Sequence, residues 1–170
     1  TKAYVVRKDG QADDEGFIAA HSGAPWVVSM VGFVAGLPFM FQMVERERQL
    51  QVPKYLRPRT DTPKLTLGHG GCFGCIYSVR GAGGYQMFGV TPAPIYDPQQ
   101  HLAYLKEHMV FFRPGDIVQF KPMDREAYDH AVAEVEAGRF DLRIRAVEFS
   151  LDAFLADPVG YPKSLQEVLA

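Results

Sequence analysis

The stretch Leu65–Val90, LTLGHGGCFGCIYSVRGAGGYQMFGV, decides the architecture. Its runs "LTLGHGG", "CIYSV" and "GYQMFGV" are short, rich in β-branched or aromatic residues, and separated by glycine turns. Strands are built from that composition, whereas a helix would be broken by it. With "DIVQFKP" at Asp116–Pro122 they predict a mainly β protein, an antiparallel barrel or sandwich with a few short helices.

The chain on either side agrees with this. "YVVRKDG" at Tyr4–Gly10 reads as a strand and turn, and "DDEGFIAAHSG" as a short helix opened by Asp13 or Asp14 and stopped near Gly23. "PWVVSMVGFVAGLPFMFQM" (25–43) is apolar nearly throughout but punctuated by Gly32, Gly36 and Pro38, so a buried strand followed by a tight glycine loop is expected. "VPKYLRPRTDTPK" (52–64) is an extended loop, because each residue before a proline is pushed out of helical space. "RPGD" at Arg113–Asp116 is a type I or II turn.

Beyond it, "DREAYDHAVAEVEAG" predicts a helix capped by Asp124 and stopped by Gly138, with Tyr128, Ala131, Val132 and Val135 on one face. "RFDLRIRAVEF" then alternates Phe140, Leu142 and Ile144 inward with Asp141, Arg143 and Arg145 outward, which predicts a strand returned to the sheet. The tail has a helical turn in "SLDAFLADP" and a capping box, "SLQE", at Ser164–Glu167.

With 170 residues and a net charge of −2, the chain is long enough for its own core and gives no reason to expect a nucleic-acid partner. Residues 51–100 nonetheless carry five cations (Lys54, Arg57, Arg59, Lys64, Arg80) against two anions (Asp61, Asp97), which suits an anionic or carboxylated small ligand. No apolar run reaches the roughly 18 residues of a membrane span, and the opening lacks a signal-peptide apolar region, so a cytoplasmic location without membrane contact is expected. The start at Thr1 rather than Met reads as a fragment, a processed form or half of a split protein.

Cys72 and Cys75 could serve a metal, a redox couple or the core. A zinc site needs four ligands, and His69 would be only a third, so no metal is expected; a low-pKa thiol needs a helix N-terminus, and this pair sits in a turn entering a strand. Packing is the expected role. The glycines match no phosphate-binding fingerprint and instead allow close backbone approach, to a ligand or within a hairpin turn. His101, His108 and His130 fall in polar surroundings, whereas His69 lies between glycines near the basic loop and could face a pocket. No nucleophile elbow, paired-carboxylate spacing or protease triad is present.

Four ordered segments carry a family resemblance. "VGFVAGLPFMF", "VPKYLRPRTDTPK", "GGYQMFGVTPAPIYD" and "FFRPGDIVQFKP" resemble the GFxPGxPY, xPRxxxPxG, PGGWxxIGRTP and LLxPGDxVxFxPI motifs of the carboxyltransferase subdomain C/D family, also called allophanate hydrolase subunit 1 or KipI-like, which includes the B-type subunit of 5-oxoprolinase. "KYLRPRT", "GGCFGCIYSVRGAGGYQMFG" and "AGRFDLRIRAVEFSLDAF" are similar to the urea carboxylase branch. Ala82 and Val90 depart from the family's Pro and Arg.

The resemblance implies a cyclophilin-like β-barrel over 26–150, preceded by a vestigial N-terminal segment (1–25) and followed by a helical tail (151–170). It implies half of a carboxyltransferase that works with an A/B-type partner half, with biotin carboxylase and a biotin carrier, on a urea-like or amide nitrogen. Carboxybiotin would come from the carrier, ATP would be used by the partner machinery, and neither would be held tightly by this chain. The alternatives it implies are a B-type subunit of an ATP-dependent amidohydrolase, or a KipI-like kinase-inhibitor binding protein. The expected site residues are His69, Tyr85 and Gln86 for catalytic hydrogen bonding, with Lys54, Arg57, Arg59, Gly83 and Gly84 for substrate.

Overall fold

The computed structural model describes residues 14–170. The expected strand at Tyr4–Gly10 and the Asp13 cap lie outside them. A short helix α1 (Asp14–Ser22) leads into β1 (Trp26–Val31), and a glycine loop returns the chain as β2 (Pro38–Gln42). The apolar run of 25–43 is thus a hairpin. Gly36 at its turn has φ +75°, a conformation that glycine adopts without strain, and Pro38 occupies the first position of β2, where no ladder donor is lost.

After a loop come β3 (Arg59–Thr62), β4 (Thr66–Gly70), β5 (Phe73–Ile76), β6 (Gly81–Gly83), β7 (Gln86–Val90) and β8 (Ile117–Val118). The fold is mainly β, as the residue pattern predicts. β7, β4, β5, β2, β1 and β8 form one antiparallel sheet in that order, and β3 pairs with β6 in a second. The Arg113–Asp116 turn before β8 is type II: Asp116 N donates to Arg113 O at 3.1 Å and Gly115 has φ +96°.

Period-2 alternation assigns a core to each face of the sheet. One face carries Trp26, Val28, Met40, Ile76 and Leu67, joined by Ile95 and Phe112. The other carries Cys75, Phe39 and Phe73, covered by Leu37, Tyr77 and Tyr85. The glycines of β4 and β5 make this possible. A Cβ on Gly74 would sit 2.9 Å from the Trp26 ring, and one on Gly70 would overlap atoms of the Tyr85 ring, so bare backbone is where these two rings pack.

Two details differ from the expectation. Among the described residues no closed barrel is found: β7 and β8 are edges that do not pair with each other, and 139–149, expected as a strand, has no ladder partner there. The final helix α4 starts at Gly160 rather than near Ser164, and Ser164 Oγ donates to Tyr161 O within its first turn instead of capping it. The helix at Arg125–Glu136 (α2) is capped by Asp124, which accepts from Ala127 N at 2.8 Å, and Ser150 caps α3 (Leu151–Ala156) in the same manner. The expected inward stripe of α2 is only half-buried.

Candidate functional site

The loop after β2 is laid along the sheet and fastened at four points. His69 Nε2 bonds Leu50 O at 3.1 Å, Val52 and Gly71 exchange backbone bonds at 3.0 and 2.6 Å, Gln86 Nε2 donates to Pro53 O at 2.8 Å, and Tyr55 N donates to Gly84 O at 2.8 Å. His69 and Gln86 are cross-strand partners on β4 and β7, so both point to the same face and reach the loop together. Prolines 53 and 58 keep the segment extended, as the sequence predicts. Its tip carries Lys54, Tyr55, fully exposed Leu56 and Arg57.

The cations converge on Tyr85. Lys54 Nζ lies 5.2 Å from the Tyr85 ring centroid. Arg59, in β3, donates from Nη1 to Tyr85 O at 2.7 Å and from Nε to Thr62 Oγ1 at 3.3 Å, while its guanidinium stacks 5.1 Å from the Tyr55 ring. Lys54, Arg57 and Arg59 have no carboxylate partner among the described residues, whereas nearby Arg80 is neutralised by Asp61 at 2.6 Å. Unneutralised cations held by backbone anchors favour an incoming anion electrostatically.

All eight expected site residues fall in this region, but with different tasks. His69 and Gln86 are almost wholly buried and spend a side-chain nitrogen each on loop carbonyls. Their placement is that of anchors behind the loop, not of groups open to a substrate. Gly83 is closed off too: a Cβ there would lie 2.5 Å from the Tyr77 hydroxyl, so its close approach serves a tyrosine. Gly84 has room, its nearest neighbour being Pro58 at 3.8 Å.

Burial sets the titration of the groups around the loop. It pushes the Tyr85 hydroxyl and the Cys75 thiol up to about 12 each, so neither is ionised near neutrality. It lowers His69 below its ordinary value against the opposing pull of the Leu50 carbonyl. His69 is therefore neutral, with the proton on Nε2 where Leu50 O accepts it. Cys75 and His69 lie on opposite faces of the sheet, which separates two of the three metal-ligand candidates.

Sequence reasoning missed two parts of this arrangement. Tyr77 and Thr62 build the wall around Gly83, with the Tyr77 hydroxyl accepting from Tyr85 N at 3.3 Å. Behind His69 lies a cluster of Phe17, His21, Trp26, Phe88 and Phe120, with ring centroids as close as 4.6 Å. Its members come from residues about a hundred positions apart, so no local motif could announce them.

Gly70→Ala is expected to destabilise the protein by about 1–3 kcal/mol, because the added carbon overlaps the ring of Tyr85 and must displace it. A fall in the urea midpoint with unchanged slope checks this; an unchanged midpoint would show that the ring yields freely.

A family model described as the carboxyltransferase domain, subdomain C and D, matches residues 3–105. The chain is 33% identical over 129 residues to the B-type subunit of 5-oxoprolinase from Bacillus subtilis, covering 76% of this chain and 50% of that protein. It is 32% identical over 120 residues to urea amidolyase of Lachancea kluyveri, covering 71% of this chain and 6% of that one. Among solved structures, the K. lactis urea amidolyase superimposes with a TM-score of 0.78 at 25% identity, over 92% of this chain and 10% of that chain. The chain thus spans half the length of the B. subtilis relative and a small part of the two amidolyases.

Proposed function

The chain belongs to the carboxyltransferase subdomain C and D family, and from that premise we propose that it is one half of a biotin-dependent carboxyltransferase acting on a urea-like or amide nitrogen, completed by an A/B-type partner half. The observation that carries this reading is the fastened loop, which carries Lys54 and Arg57 and leads into Arg59, none of them paired with a carboxylate among the described residues. Such cations suit a carboxylate in transit. Carboxybiotin, if brought by a carrier, would supply the carboxyl group, its own N–C bond breaking as the acceptor nitrogen's new N–C bond forms and the acceptor's proton passing to the freed biotin nitrogen; Lys54, Arg57 and Arg59 would hold the carboxylate in passage.

Each residue then has a physical task. Lys54 and Arg57 bind the carboxylate, and Arg59 adds positive field while bracing the Tyr85 carbonyl. The Tyr85 ring supports the Lys54 ammonium by a cation–π contact. His69 and Gln86 are positioning residues that fix the loop's height above β4 and β7, and Gly84 leaves space for the acceptor. The partner half, with biotin carboxylase and carrier, supplies ATP-driven carboxylation in the cytoplasm.

A second reading rests on the similarity to the 5-oxoprolinase chain of B. subtilis: a component of an ATP-dependent amidohydrolase in which the same cations hold a substrate carboxylate. Co-purification from the native host followed by assay separates the two. Biotin-dependent carboxylation of urea or a small amide supports the first; lactam-dependent ATP hydrolysis without biotin replaces it with the second. In whichever assay is active, Arg59→Gln is expected to lower kcat/KM by about 10- to 100-fold, the loss of a charge-assisted interaction. Unchanged kcat/KM would remove Arg59 from the site.

A further inference from the structure

Two of the site's cations lean on a bend that joins the two sheets. β6 pairs with β3 in the small sheet and β7 with β4 in the large one, so Gly84 and Tyr85 between them carry the chain from one sheet to the other. Tyr85 is gripped there at three points. Its N–H donates to the Tyr77 hydroxyl at 3.3 Å, its carbonyl accepts from Arg59 Nη1 at 2.7 Å, and its ring centroid lies 5.2 Å from Lys54 Nζ. A shift of this bend therefore loosens a contact of both cations at once.

Tyr77 is rooted in the large sheet. It follows β5 directly, its N–H donates to Thr66 O at 2.9 Å in continuation of the β4–β5 ladder, and its buried ring packs with Leu37, Cys75 and Tyr85. The ring runs between two glycines: a Cβ on Gly68 would lie 2.9 Å from its edge, and one on Gly83 would lie 2.5 Å from its hydroxyl. Gly83 is the cross-strand partner of Arg59, and the same added carbon would lie 2.7 Å from Thr62 Oγ1, which accepts from Arg59 Nε. The hydroxyl thus reaches from the large sheet into the small one where Arg59 is held. Burial and the neighbouring Cys75 push its titration up while the Tyr85 amide and Arg59 pull it back, so it stays protonated near neutrality and within electrostatic reach of both.

We propose that Tyr77 is a positioning residue for the cation site: its hydroxyl pins the Gly84–Tyr85 bend to the large sheet and so keeps Arg59 and Lys54 in one place, without itself touching the ligand. The inference rests on the reading of Lys54, Arg57 and Arg59 as a carboxylate site. Charges already held in place bind an anion more tightly than charges that must be gathered as it arrives.

NMR on the whole 170-residue chain, with acetate as the carboxylate probe, tests this. Tyr77→Phe keeps the ring between its two glycines and deletes the hydroxyl. The Tyr85 amide is then expected to exchange at least about tenfold faster, and the acetate dissociation constant to rise about 3- to 10-fold, the loss of one hydrogen bond. In an Arg59→Gln background the same substitution should change acetate affinity less than about twofold, because a group it positions is gone, whereas a merely structural tyrosine would weaken both backgrounds equally. Gly83→Ala, whose added carbon displaces the hydroxyl, stands in if Tyr77→Phe unfolds and is expected to act in the same direction. Unchanged Tyr85 exchange, unchanged acetate affinity, or an equal loss of affinity in the two backgrounds would overturn the role of Tyr77. No response to acetate in the wild type would instead sink the carboxylate-site reading, and this proposal with it.

Discussion

Trp26→Ala is expected to lower the unfolding free energy by about 3–5 kcal/mol, the upper end for loss of a large core side chain. Trp26 has no exposed surface, lies flat on Gly74 and donates from Nε1 to His21 O at 2.9 Å. It touches the rings of His21, His69 and Phe120, so the cavity left by its removal is bounded by side chains from three parts of the chain that cannot all collapse into it. The bare backbone of Gly74 offers nothing to fill the space. Because Trp26 is the chain's one tryptophan, unfolding in urea has to be followed by far-UV circular dichroism. Trp26→Phe, which keeps a ring and loses the hydrogen bond, should cost less; equal losses in the two variants would mean the hydrogen bond rather than the packing dominates.

Acidification is expected to unfold the protein through its buried histidines. Burial holds His21 down to about 3, with His69 adding a smaller repulsive push, and burial lowers His69 as well. In the unfolded chain both titrate near 6.5. The native state binds fewer protons than the unfolded state in this range, so stability is complete above pH 6.5 and drains away as pH falls from there towards 3. For His21 the gap corresponds to about 4 kcal/mol at its lower end.

The carboxylates of Asp61, Asp97 and Glu134 are also lowered and act in the same direction, but only below their ordinary range near pH 4. Between pH 4.5 and 6 the slope therefore reports the histidines. Urea midpoints measured across that window should reveal proton uptake on unfolding, about one proton of which is lost in His21→Phe. A flat profile in the wild type would show that the two rings are accessible to solvent.

Much of this architecture is legible from local pattern. Alternation and glycine turns identify β4, β5 and β7, Asp124 and Gly138 bracket α2, and the Pro-Gly pair at 114–115 specifies a turn; each depends on neighbours along the chain. The short strands β3 and β6 escape such reading, since "RTDT" and "GAG" have no apolar alternation and exist as strands only because they meet each other. The strand expected over 139–149 shows the reverse: its pattern is strong, but among the described residues it meets no ladder partner.

The site divides along the same line. Its residue types and neighbourhood can be read from "VPKYLRPRT" and "GAGGYQ", because proline restricts the loop and clustered charge is additive along a sequence. What each residue does there cannot. His69 and Gln86 look like exposed hydrogen-bonding groups until β4 and β7 pair in the register that turns both beneath the loop, and Gly83 looks open until Tyr77 folds over it. By itself the sequence determined the mainly β class, the turns, the Asp124 cap of α2 and the basic loop, all set by steric and hydrogen-bonding preferences within a few residues. Only the tertiary structure decided which polar groups are anchors and which cations find no carboxylate among the described residues, because burial and pairing depend on strands that the sequence keeps far apart.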